Sequence, residues 1–182
     1  MKAEVSKLMP FVLKWEGGFV LNPNDPGGVT NMGVTLEVWK SQGYDKDGDH
    51  DIDVADLKKI SIEDATKIME KGYWSRWKAS EIDSQAVANI LVDWTWCSGA
   101  WGIKIPQRLL GLVEDGSVGL KTIEAVNATI SKDKAKFIQQ LYLAREQFIK
   151  DIIKKNAKLE TFRKGWTNRL NDMKTFNLKY YE

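Results

Sequence analysis

Apolar residues recur at helical spacing over most of the chain and seldom alternate as a strand would. Met9, Val12 and Leu13 stand at i, i+3 and i+4, which predicts a helix over residues 4–16 with Pro10 either in an early turn or at a kink. Thr35 can cap a short helix that stops at Gly43, and Ser61 with Asp64 makes a capping-box pattern at the head of a helix reaching about Tyr73. Ala86, Val87, Ile90, Leu91 and Trp94 mark residues 85–98 as the central buried helix, ended by Gly99. Further helices are expected at 103–110, 119–130, 132–155 and 159–178. Gly and Pro instead crowd residues 17–33, where a Gly-rich stretch after a helix can turn back as a small β-hairpin over 18–34. The predicted fold class is all-α, with that hairpin as its β feature.

A chain of 182 residues can hold one domain with a sizeable core, or one domain with a helical appendage. No apolar run approaches the roughly 20 residues that cross a bilayer, so stable membrane insertion is not expected. The opening MKAEVSKLMPFVLKWEGG breaks any apolar core with Lys and Glu and lacks a small-residue cleavage site, so no export signal is read. Cys97 is the single cysteine, which removes any internal disulfide and leaves a small hydrophobe as its expected role. Net charge is +2, but residues 131–182 carry thirteen Lys and Arg against six Asp and Glu. Such a basic end suits a polyanion or an anionic cell wall, and equally a solvated helix face.

Glu16 is the unexpected member of the first helix. It falls at i+7 of the Met9 stripe, where an apolar residue would continue the buried face. Partial burial disfavours charge on a carboxyl group, which is how a glycosidase keeps a proton donor near neutral pH. Gly17 and Gly18 end the helix without side-chain bulk, so that a ligand can come close. Asp25 and Thr30 follow across loop-forming residues that can bring them back towards the helix end. Asp25 also has the ordinary identity of a turn residue before Pro26. Two carboxyls across a cleft, one protonated and one ionised, are what cleavage of a glycosidic bond requires.

The stretch EGGFVLNPNDPGGVTNMGVT resembles the signature of glycoside hydrolase family 108, the bacterial and phage N-acetylmuramidases whose EGG glutamate is the catalytic acid. Its Glu, Asp and Thr order is also similar to that of phage-type lysozymes. The resemblance implies a lysozyme-like fold and cleavage of the β-1,4 bond after N-acetylmuramic acid in peptidoglycan. Glu16 would then protonate the glycosidic oxygen while Asp25 and Thr30 orient water on the opposite face, inverting the anomeric carbon without a catalytic cofactor. Inverting sites hold their carboxyls about 6.5–9.5 Å apart and retaining sites about 5–5.5 Å. Family members are also described as secretion activators. A phage-type lytic enzyme without a signal peptide would wait in the cytoplasm for a holin-like export partner and then act on the wall or periplasm.

YDKDGDHDIDVADL places Asp45, Asp47, Asp49, Asp51, Asp53 and Asp56 at positions 1, 3, 5, 7, 9 and 12 of a candidate calcium loop, with Ile52 at the inward-packing eighth. The loop resembles an EF-hand and, with Asp at position 12, most closely a dockerin loop. It departs in carrying His50 at position 6, where a sharp turn normally takes Gly. A structural Ca²⁺ is one reading of this inserted segment, 45–56, and an acidic solvated loop is the other.

Eight tryptophans are many for this length. Most such rings belong in a core, Trp94 above all, but Tyr73, Trp74 and Trp77 of YWSRW are candidates for stacking on sugars, since a Tyr-Trp pair here recurs in the muramidase family. IPQRLLG, EDGSVGLKT and FRKGWTNRL resemble the predicted peptidoglycan-binding module that accompanies family 108 domains, with Asp115, Gly116, Gly119 and Thr122 in its spacing. A tight turn before a capped helix would look the same. The expected organisation is a catalytic region at 1–95 and a helical wall-binding region at 96–182, with peptidoglycan strands as partner. A non-catalytic wall-binding or secretion accessory protein is the alternative. A calcium-responsive partner protein and a nucleic-acid binder rank lower, because a lone loop makes a poor sensor and the basic helices lack interleaved aromatics.

Overall fold

The structure, a computed structural model, describes residues 2–21 and 28–181. The chain divides into two compact units, Val5–Gly72 and a second made of Met1–Glu4 with Tyr73–Glu182. The helix Gln85–Ser98, expected with the first region, is therefore packed among the C-terminal helices.

In the Val5–Gly72 unit, helix α1 (Met9–Glu16) buries Met9, Phe11 and Val12. Pro10 sits in its first turn, where the missing N–H has no intrahelical partner to lose, so no kink is needed. The predicted hairpin gains a strand: β1 (Val20–Leu21), β2 (Val29–Asn31) and β3 (Val34–Thr35) form one antiparallel sheet in that order. Met32 and Gly33 both take positive φ, 51° and 79°, the signature of a two-residue hairpin turn that fixes Asn31 opposite Val34. Helix α2 (Leu36–Gln42) is capped by Thr35 Oγ1, which accepts from Val38 N, and ends at Gly43 as expected. A Cβ at Gly43 would overlap the buried Trp39 ring. Helix α3 (Val54–Lys58) and helix α4 (Ile62–Met69) each begin with a complete capping box, Asp53 with Asp56 and Ser61 with Asp64.

The second unit is built on helix α5 (Gln85–Ser98), whose residues Ala86 to Thr95 are all buried. Helix α6 (Trp101–Leu109), helix α7 (Leu120–Lys155) and helix α8 (Arg163–Asn177) complete it. Helix α7 breaks at Asp133, where φ −163° and ψ 84° are non-helical and the carboxylate caps the following turn through Lys136 N at 2.9 Å. The two helices expected at 119–130 and 132–155 are its two halves.

Buried polar groups lock these helices together. Asn177 donates to Tyr142 Oη and to the Ala86 carbonyl and accepts from Asn89, tying the end of α8 to α7 and α5. Asp93, at 0% exposure, joins Arg145 of α7 at 2.7 Å and Arg169 of α8 at 2.8 Å. Helix α6 approaches α5 so closely at Gly102 that an added Cβ would lie 2.6 Å from Thr95 Cα and from the Trp94 carbonyl carbon. Both obstacles are backbone, so relief requires moving a helix. Gly102→Ala is expected to destabilise the protein by about 3 kcal/mol, the upper end of ordinary overpacking, seen as a lower urea midpoint.

Candidate active site

Glu16 is the last residue of α1 and is half-buried, on the margin of the face formed by Met9 and Val12. The helix stops because Gly17 takes φ 70°, a left-handed conformation suited to glycine, while its N–H still reaches Leu13 O at 3.2 Å. A Cβ built at Gly17 or at Gly18 meets nothing within 4 Å among the described residues, so there is open space at the two glycines that follow Glu16. Phe19 follows, 37% exposed, with Lys58 Nζ 5.1 Å from its ring centre. Thr30 is half-buried at the middle of the central strand β2, opposite Val20 on one side and Thr35 on the other. Asp25 lies outside the described residues.

The strand of Thr30 is fastened to the acidic segment. Asn31, 4% exposed, donates from Nδ2 to the Leu57 carbonyl at 2.8 Å, at the end of the helix that closes the segment. Upstream, the Asp45 carboxylate accepts from the N–H groups of Asp47, Gly48 and His50, and those of Gly48 and His50 hold its carboxyl below the ordinary range. His50 adopts φ 74°, so it makes the turn that glycine usually makes at this position. Asp56 is fully buried and accepts from Lys46, Asp47 and Asp53 N–H groups, those of Asp53 and Lys46 lowering its pKa most. Partial desolvation, then the charge of Asp49, pushes Asp51 the other way.

These six side chains form two trios, Asp45 with Asp47 and Asp49, and Asp51 with Asp53 and Asp56, within which one ligand atom from each lies within 4.8 Å of the others. Asp47 Oδ2 faces Lys59 at 3.2 Å, whereas its buried Oδ1 has no hydrogen-bond partner. An oxygen-only donor set of this kind suits a hard divalent cation. The segment is anchored at its base by Lys46, which pairs with buried Asp64 at 2.5 Å. Burial opposes the charge of Asp64, and Lys46 with Ser61 more than restores it, leaving that carboxyl well below its usual range.

The aromatic expectation needs correction at two of its three positions. Trp74 is 2% exposed and donates to Ser80 Oγ at 2.9 Å, and Trp77, at 0%, donates to Thr95 Oγ1 at 2.7 Å. Neither has a ring face left for a sugar; both were drawn inward because their apolar area is large and a hydroxyl satisfies each indole N–H. Tyr73 is half-buried, 4.6 Å from the Trp96 ring centre, and keeps its candidacy.

In the second unit, the EDGSVG segment is a tight turn clasped by Gln107, whose signal in IPQRLLG was overlooked. This buried amide donates to Asp115 Oδ1 at 2.7 Å and to Ser117 O at 2.9 Å, and accepts from Gly116 N at 3.0 Å. Gly116 has φ 76°, Gly119 caps α7, and Thr122 is buried in its first turn. The motif therefore joins α6 to α7 as a structural corner.

Comparison with known proteins divides the chain near residue 100 rather than at Gly72. Residues 9–99 match the family model described as glycosyl hydrolase 108, and residues 101–171 match that of a predicted peptidoglycan domain. The solved structure of Brucella abortus SagA is similar over nearly the whole chain, at 32% identity and a TM-score of 0.72, covering 97% of this chain and 94% of that one. A search of curated proteins gives no match. Among the described residues no helix is long and apolar enough to cross a membrane. With its mainly α, lysozyme-like architecture and a glutamate ending the first helix beside two glycines, the chain belongs to the glycosyl hydrolase 108 family and carries a peptidoglycan-binding region behind the hydrolase region.

Proposed function

We propose that the protein is an N-acetylmuramidase that cleaves the β-1,4 bond between N-acetylmuramic acid and N-acetylglucosamine, with Glu16 as general acid. The observation that carries this reading is the setting of Glu16, a half-buried carboxylate followed by open space at Gly17 and Gly18, inside the matched hydrolase region. Glu16 gives its proton to the departing glycosidic oxygen. Asp25, as base, takes a proton from water, and Thr30, presented by the central strand, holds that water on the far face of the sugar. The product is an inverted anomer. The test is digestion of purified peptidoglycan followed by borohydride reduction: new reducing ends on muramic acid are expected, and ends on glucosamine would reject the bond assignment.

The segment 45–56 acts as a structural Ca²⁺ loop in this reading, supported by its two carboxylate trios and the unsatisfied Asp47 Oδ1. An ion that binds only the folded loop stabilises it by about 2.7 kcal/mol at a hundred times its dissociation constant. The thermal midpoint is therefore expected to rise with millimolar Ca²⁺ and to fall with chelator. An unchanged midpoint removes the ion from the native state.

A further inference from the structure

A cavity of the second unit lies between α5, α6, α7 and α8, and nothing in the hydrolase reading uses it. It measures about 260 Å³, and its lining includes Trp101, Phe148 and Trp166 together with Arg145, Arg169 and Cys97. A groove of about 490 Å³ continues it along α6 and α7, sharing Trp101, Phe148 and Ile152. Trp101 is 50% exposed although it is a large apolar ring, and it stands 6.3 Å from the Phe148 ring.

Buried charged groups line this cavity. Burial opposes ionisation of Asp93, and Arg145 with Arg169 outweigh it. Arg145 is 4% exposed and uses one donor, at Nη1, on Asp93. A guanidinium has five N–H donors, and the others of Arg145 have no hydrogen-bond partner among the described residues. A buried guanidinium with unused donors in a cavity lined by aromatic rings matches a planar anion carried on a small apolar group. Neutral sugars supply no such charge. The peptide stem of peptidoglycan does, because it is rich in alanine and carries carboxylates.

We propose that this cavity is a subsite for the stem peptide of peptidoglycan, with Arg145 receiving the C-terminal carboxylate of its last alanine and Trp101 and Trp166 flanking the alanine methyl groups. This rests on the peptidoglycan-binding reading but not on glycan cleavage.

Cys97, the chain's one cysteine and exposed, reports occupancy directly. The rate at which a disulfide reagent modifies it is measured with L-Ala-γ-D-Glu-L-Lys-D-Ala, with the same peptide amidated at its C-terminus, and with chitobiose. The free-acid peptide at ten times its dissociation constant is expected to slow modification about tenfold. The amide should bind at least about tenfold more weakly, since one charge-assisted pair is lost. Chitobiose should have no effect. Trp101→Ala should lose the protection with its thermal midpoint unchanged, whereas Arg145→Gln tests the anion contact if it folds. Equal protection by acid and amide, protection by chitobiose, or protection by none of the three overturns the proposal. Because the peptides contain no glycosidic bond, any of those results leaves the hydrolase test untouched.

Discussion

Glu16→Gln is expected to abolish release of muramic acid reducing ends, lowering turnover by about 10²–10⁴-fold, the range for loss of a positioned general acid. The amide fills the same volume at the half-buried end of α1, so the fold should persist and the thermal midpoint should hardly move. The two readouts together separate chemistry from stability. Turnover by the variant equal to wild type would remove Glu16 from the reaction. Binding of the variant to intact peptidoglycan should survive, because the residues matched to the peptidoglycan domain are untouched. Proton NMR of the first-formed anomer then decides whether Asp25 works through water or by direct attack: an inverted product is expected, and retention would make Asp25 the nucleophile.

The largest stability effect is expected at Asp93. Its carboxylate is fully buried and holds Arg145 and Arg169 from two other helices, so Asp93→Asn leaves two buried guanidiniums facing a neutral group. Breaking a buried pair from one side costs about 3–5 kcal/mol. A fall of that size in urea unfolding free energy is the expected result, and a change below about 1 kcal/mol would contradict it. The sign of the pH effect follows from the lowered pKa. A carboxyl that is more acidic folded than unfolded contributes stability above its unfolded value of about 3.9, and that stability drains away as pH falls towards the folded value. Wild type should therefore weaken on acidification below about pH 4, with Asp64 acting in the same direction in the other unit, and the Asp93→Asn variant should show a shallower slope.

Local chemistry was the most legible part of the sequence. Thr35 and Gly43, Ser61 with Asp64, and the span 85–98 were readable because caps and helical spacing act within a few residues. The third strand escaped notice because Val34–Thr35 is too short to show alternation, and its pairing is set by the Met32–Gly33 turn. Trp74 and Trp77 were misread because nothing local tells a buried indole from one that lines a cleft; the hydroxyls of Ser80 and Thr95 that receive them come from other segments. Asp93 offered a visible signal, a lone acid among Ile90, Leu91 and Trp94, but its partners lie 52 and 76 residues away. The Glu16 motif was plain, since a carboxylate in place of an apolar residue at the end of a helix stripe, followed by two glycines, is visible locally. Asp25, proposed to oppose it, lies outside the described residues.

The bond from Asn31 to Leu57 has one more outcome. It ties the strand of Thr30 to the helix after the acidic segment, so amide exchange in the two is expected to slow together when that segment is stabilised. A change at residues 45–58 should thus be felt in a strand that precedes its anchor by 26 residues.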